Sequence, residues 1–257
     1  MTDEERFDEI LGELGELLLD LGDLAYRVML IGGQVLALES RLRGGTGVIF
    51  VETDTGVGVD RGFSFEPDLL FDMDGSEFMA ERLPEVLHQR GFKRVRDFRW
   101  SKVMPSGQDM DLDLFAPDDV EVSELPTRMT PLPDSRVALR RSQRVSLRVG
   151  GKSLAILLPD AAGFLSMKER AKREQRPEKT KDCFDMFVYV KLVGTEAVRA
   201  SLQAAGEDGR ALRDRLLTLF WNAHSKGVQD VLTYAASHED EERALLAQAV
   251  VDLFAEL

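Results

Sequence analysis

The sequence holds a single cysteine, Cys183, and three scattered histidines, His88, His224 and His238. One cysteine excludes an intrachain disulfide, and without paired cysteine or histidine ligands a zinc cage is excluded as well. Any bound metal is therefore expected to be a hard cation held by carboxylates. Long apolar runs are missing too. A stretch such as Leu154 to Leu158 falls far short of the ~20 residues that a spanning helix needs. The opening residues Thr2, Asp3, Glu4 and Glu5 have the wrong sign for a secretory leader, so a cytoplasmic location with no membrane partner is the expectation. Positive charge is in overall deficit. A net charge of −13 argues against a chain that coats nucleic acid without specificity.

The cations that are present crowd the middle of the chain, from Arg136 through Arg148 and then Lys168, Arg170, Lys172, Arg173, Arg176, Lys179 and Lys181. A solvated face and a phosphate-facing patch both fit such a run.

Hydrophobic spacing gives the layout. Phe7, Ile10, Leu11, Leu14, Leu17, Leu18 and Leu21 recur at helical intervals, predicting a first helix over 3–24. A short apolar strand over 27–31 runs into Gly32-Gly33, and a helix follows over 34–42. A hairpin over 48–59, a strand over 64–71, a helix over 77–90 and strands over 92–104 and 108–115 come next. Prolines 117, 126, 131 and 133 mark a loop-rich connection, and 144–149 with 152–158 form a hairpin around Gly150-Gly151. From 160 onward the spacing is helical, the last two helices being expected over 227–237 and 240–256. The order predicts an α+β protein, with a mixed-sheet core over 1–125 and a hairpin plus helical domain over 126–257.

Several residues in this frame could do chemistry. Gly32 and Gly33 would let a phosphate approach the backbone at a helix N-terminus, although a plain structural turn fits them too. Glu66 and Asp68 lie two apart on an expected strand, where both carboxylates would share one face. Asp111 and Asp113 do the same on a later strand. Convergent carboxylates on neighbouring strands are what Mg²⁺ ions need for in-line phosphoryl transfer, and acids on a solvated strand face are the plain alternative.

A strand, a Gly-Gly turn, a helix, then Arg61-x-x-Ser64-x-Glu66-x-Asp68 and finally Asp113-Leu-Phe-Ala-Pro117 resembles the core of polymerase-β-type nucleotidyltransferases. That resemblance implies metal ligation by Glu66, Asp68 and Asp113. It also implies nucleotide contacts from Gly32, Gly33, Gln34 and Ser64. Further along, Met167-Lys168-Glu-Arg-Ala-Lys-Arg173, then Arg176, then Lys181-Asp182-Cys-Phe-Asp185 resembles the paired signatures of AbiEii-type toxins. Asp182 and Asp185 would share a helix face, Lys181 would reach Asp185, Thr180 would cap the helix, and Lys168 would come alongside. By that likeness Lys168 and Asp185 join the catalytic set, and Lys181 and Asp182 the nucleotide contacts.

The implied activity is Mg²⁺-dependent transfer of a nucleoside monophosphate from an NTP to a hydroxyl on RNA (such as tRNA) or on a protein. A toxin–antitoxin setting and a neutralising antitoxin partner are implied with it. A degenerate relative that binds nucleotide or a protein partner as a regulator is the second reading, and an acidic interaction module the third. Four departures from the pattern stand out, the first being that the hairpin over 48–59 lengthens the gap after the glycines. Gln34 replaces a hydroxyl residue, Glu66 replaces an aspartate, and Pro67 sits between the two acids. Cys183 reads as a small packed residue.

Overall fold

The computed structural model describes residues 1–73, 79–121, 127–149, 152–236 and 239–257. The expected helix start at Glu77, Pro126, the Gly150-Gly151 turn and the helix end at Ser237 lie outside them. The protein is α+β and its chain divides into two compact units, 1–48 with 63–159 and 49–62 with 160–257.

The first unit is built on a mixed sheet. Helix α1 (Asp3–Leu21) starts at a capping box, with Thr2 Oγ1 accepting from the Glu5 amide at 3.2 Å and the Thr2 amide donating to Glu5 Oε2 at 2.7 Å. The seven apolar residues that recur at helical spacing are all buried, while Leu19, off that stripe, is exposed. A 3₁₀ turn, Gly22–Arg27, leads into β1 (Val28–Ile31), which is buried on both faces. Helix α2 (Gly33–Leu42) follows one residue later.

Strands β4 (Asp68–Phe71), β5 (Lys93–Arg94), β6 (Arg99–Val103), β7 (Asp109–Pro117), β9 (Ser142–Val149) and β10 (Lys152–Pro159) complete the main path, ordered β5-β6-β7-β4-β1-β10-β9. A short β8 (Thr130–Leu132) pairs with β7. β4 runs antiparallel to β1 and parallel to β7. Helix α3 (Met79–Gln89) completes the expected helical positions here, while β8 and the short α4 (Ser135–Arg140) fall where only a loop was expected.

The second unit begins with a separate two-stranded ribbon, β2 (Ile49–Glu52) and β3 (Gly58–Gly62). Its helices are α5 (Ala161–Arg170), α6 (Lys181–Val193), α7 (Thr195–Ala204), α8 (Gly206–Leu219), α9 (Lys226–Tyr234) and α10 (Asp240–Ala255). α5 opens on the Asp160 side chain, which accepts from the Gly163 amide at 2.9 Å, and continues as a π-helical turn, Ala171–Gln175. α6 is buried from Asp182 to Val190, so it is the axis around which the other helices pack.

The domain boundary expected near 125 is not where the chain divides. The hairpin of β9 and β10 hydrogen-bonds into the sheet through β1, so it belongs to the first unit. The β2–β3 ribbon, expected inside the sheet core, belongs to the helical one. Among the described residues, no helix is long and apolar enough to cross a membrane.

Candidate functional site

Strand register brings Asp68 and Asp113 together. They are direct partners across the parallel pair β4–β7, so both side chains leave the sheet on one face about 5 Å apart at the backbone. The pairing extends one step back, where the Asp113 amide donates to the Pro67 carbonyl at 3.1 Å. On the other side Asp68 is the register partner of Ile31, the residue just before the glycine turn.

Gly32 is required there for two reasons. Its φ of 71° with ψ of −149° is a conformation that essentially only glycine adopts. A methyl built on it would overlap Asp68 Oδ2. Gly32→Ala is therefore expected to cost about 1–3 kcal/mol from backbone strain, with Asp68 pushed aside in addition. Urea denaturation measures this, and a loss well under ~1 kcal/mol would mean that the turn rearranges freely.

Glu66 behaves differently from the expectation. β4 starts only at Asp68, so Glu66 lies in the preceding bend, where strand alternation does not apply. Its side chain is more than half exposed (55%). Proline at 67 cannot donate to a ladder, which accounts for the late start of the strand.

The residue that organises these acids is Arg99, on β6 opposite Asp113. Its Nε and Nη2 bind the two Asp113 oxygens at 2.6 Å each, and its Nη1 reaches Asp111 at 3.1 Å. Glu66 lies 3.6 Å from the same guanidinium. Hydrogen bonding to Asp113 raises the affinity of Arg99 for its proton, against the opposing effect of burial, so it stays charged. Arg99 thus gathers Glu66, Asp111 and Asp113 around one fixed cation. Among the described residues no group of three or more histidine, cysteine or carboxylate side chains is disposed to hold a metal ion. The expected three-ligand set of Glu66, Asp68 and Asp113 is therefore not assembled. Asp68 and Asp113 remain as a side-by-side pair.

Two expected nucleotide contacts are engaged within the chain. Gln34 is buried, and its Nε2 donates to the Ser64 carbonyl. Ser64 Oγ closes a local turn with the backbone of Glu66 at 3.4 Å. Gln34 fastens α2 to the 63–66 segment, and this replaces the phosphate contact expected of it. Gly33 is the first residue of α2, and its backbone is buried.

The lysine–aspartate segment forms a buried network inside the helical unit. Asp185 is fully buried, with Oδ1 held by Arg61 Nε at 2.8 Å and Oδ2 by Lys168 Nζ at 2.6 Å. Lys168 also donates to Asp182 at 3.1 Å, and Arg176 binds both Asp182 oxygens at 2.8 and 2.9 Å. Burial alone would raise the Asp185 carboxyl, but Lys168, Arg61 and Lys181 more than offset that and hold it down to about 2. Burial works against the Lys168 charge, yet Asp185 and Asp182 raise it overall, so the ammonium persists.

Lys181, the first residue of α6, is half-buried, and its field reaches Asp185 as the spacing suggested. Thr180 sits at the N-cap position but makes no side-chain capping bond, since its backbone is already helical. Neither the solvated face nor the phosphate patch describes Lys168, whose charge is spent on two buried aspartates. Cys183 is fully buried, and burial pushes its thiol up, in keeping with a packed residue.

Sequence reasoning gave no role to Arg61 or Arg99. Arg61 heads the Arg-x-x-Ser-x-Glu-x-Asp string, but nothing in its spacing points 124 residues ahead to Asp185. Arg99 becomes visible only once the register of β6 against β7 is known.

No family model and no curated protein matches the sequence. In structure the chain is similar to an antigenic nucleotidyltransferase-like protein from Paracoccidioides brasiliensis, at 16% identity, with 82% of this chain and 92% of that one covered and a TM-score of 0.45.

Proposed function

We propose that the protein is a Mg²⁺-dependent nucleotidyltransferase, with Asp68 and Asp113 as the cation-holding pair beside the Gly32 turn. One observation carries this reading: two carboxylates in direct parallel register, abutting a glycine that no other residue can replace without displacing one of them. The donor set suits the ion, because Mg²⁺ commonly takes one or two protein carboxylates and fills its remaining positions with water and substrate phosphates. Bound there, it would supply Lewis-acid stabilisation of charge on the phosphoryl oxygens.

The chain's own groups do the rest. A phosphate held by that cation would lie near the N-terminus of α2, whose first-turn backbone N–H groups favour negative charge. Arg99 fixes Asp113 in place, and a guanidinium at this position can also stabilise charge that develops on the transferred phosphoryl group. An RNA or protein hydroxyl as acceptor, kinship with AbiEii toxins and a neutralising antitoxin belong to the same proposal. They are supported by the sequence signatures around Lys168 and Asp185. Incubation with each labelled NTP and total cellular RNA tests the whole reading. Label transferred in a Mg²⁺-dependent manner supports it, and no transfer to RNA or protein at any NTP overturns it.

A second reading is favoured by Arg99 itself. A cation already bound by both oxygens of Asp113 can stand where a metal would, which suits a protein that binds nucleotide without turnover. Arg99→Met separates the two. If the acids serve a metal, removing the competing guanidinium should raise Mn²⁺ affinity roughly tenfold, about 1.4 kcal/mol. Calorimetric titration measures this, and unchanged or absent Mn²⁺ binding in both proteins favours the metal-free reading.

A further inference from the structure

The helical unit contains a cavity of about 540 Å³ formed by the end of α5, its π-helical turn, α8 and α9. This is within the size range of sites for small organic ligands. Its lining carries four cations, Lys172, Arg173, Arg215 and Lys226, against two acids, Glu169 and Asp214. Asp230 and Glu174 also pair with these cations, so the site is charge-balanced and what it offers is donors held at fixed positions.

The cations are held in place by buried acids. Glu169 is buried and takes Arg173 Nε on one oxygen at 2.8 Å and Arg215 Nε on the other at 2.9 Å. Asp230, also buried, is shared in the same way by Lys172 and Lys226. Both acids are thus saturated. Arg215 uses only Nε, so among the described residues its two terminal nitrogens have no hydrogen-bond partner. Two parallel N–H donors in that plane match the oxygens of a phosphate.

The remaining wall is supplied by Pro177, Leu219, the methyl of Thr218 and the alkyl stems of the long cations. Guanidinium planes also stack on flat rings. The π-helical turn places Lys172 and Arg173 at the same opening, and such turns recur at functional sites.

The geometry points to a binding site for a small organic phosphate with a flat apolar body, its phosphate on Arg215 and Lys226 and its ring against Leu219 and Pro177. The site lies wholly within the helical unit and does not depend on Asp68 or Asp113.

Calorimetric titration with AMP, phenyl phosphate, adenosine and inorganic phosphate tests it. AMP or phenyl phosphate should bind at least tenfold more tightly than adenosine or inorganic phosphate. AMP alone would identify a nucleotide, and both would identify aryl phosphates in general. Arg215→Met, which keeps the stem and removes the fork, should weaken that binding tenfold or more. Thr218→Trp, which fills the cavity from an exposed helical position, should abolish it. Asp68→Asn should leave it unchanged. The inference is overturned if neither phosphate binds. It is equally overturned if Thr218→Trp binds like the wild type, or if Asp68→Asn is the variant that loses binding.

Discussion

Asp185→Ala is expected to destabilise the protein by about 3–5 kcal/mol, the usual loss when one partner of a buried ion pair is removed. The reason lies in what remains. Arg61, 2% exposed at its side chain, would lose its acid, and Lys168, 9% exposed, would keep only Asp182 at 3.1 Å. Two like charges in a poorly solvated place repel. One terminal nitrogen of Arg61 is already buried without a hydrogen bond among the described residues, so the site has no spare acceptor to offer. Urea denaturation of the full chain measures the effect, and a loss below ~1 kcal/mol would mean that the network is replaceable.

A pH dependence comes with it. The folded Asp185 carboxyl is held at about 2, below its ordinary value of 3.8, so the unfolded chain binds the proton more readily. Its stabilising contribution is complete above pH ~4 and fades as pH falls toward about 2, amounting to roughly 2 kcal/mol. Asp185→Asn should flatten the stability profile across that window. The same logic changes what Lys168→Ala would report. Its main effect would be on folding, because the ammonium is committed to Asp182 and Asp185.

Asp68→Ala is expected to reduce nucleotidyl transfer at least 100-fold, about 2.7 kcal/mol of transition-state stabilisation. Under the proposed function it removes one of the two carboxylates that hold the cation, and Asp113 by itself is largely occupied by Arg99. The thermal midpoint should move by only a few degrees, since Asp68 is only partly buried, at the first residue of β4. Transfer retained within tenfold would take Asp68 out of the site. A large loss of stability would instead make it a structural hydrogen-bond partner of the Gly32 turn.

The sequence by itself determined the periodic elements and the residues available for chemistry. Helical spacing placed the first helix over 3–24, and α1 ends at Leu21 where a 3₁₀ turn begins, while alternation of Met110, Leu112 and Leu114 with aspartates located β7. The glycine turn after β1 was legible from local turn chemistry, and the meeting of Lys168 with Asp182 and Asp185 was implied by the family resemblance of the lysine–aspartate segment.

What required the tertiary structure was everything set by long-range register. Pairing of β4 with β7 put Asp68 beside Asp113, while Pro67 delayed the strand and left Glu66 outside it. Pairing of β6 with β7 set Arg99 against Asp113 and Asp111. The β2–β3 ribbon, assigned by sequence order to the sheet, joined the helical unit and brought Arg61 to Asp185. Sequence order cannot supply these pairings. A one-residue slip of register moves every side chain to the opposite face, and which partner a strand finds depends on burial of the whole core rather than on its own residues.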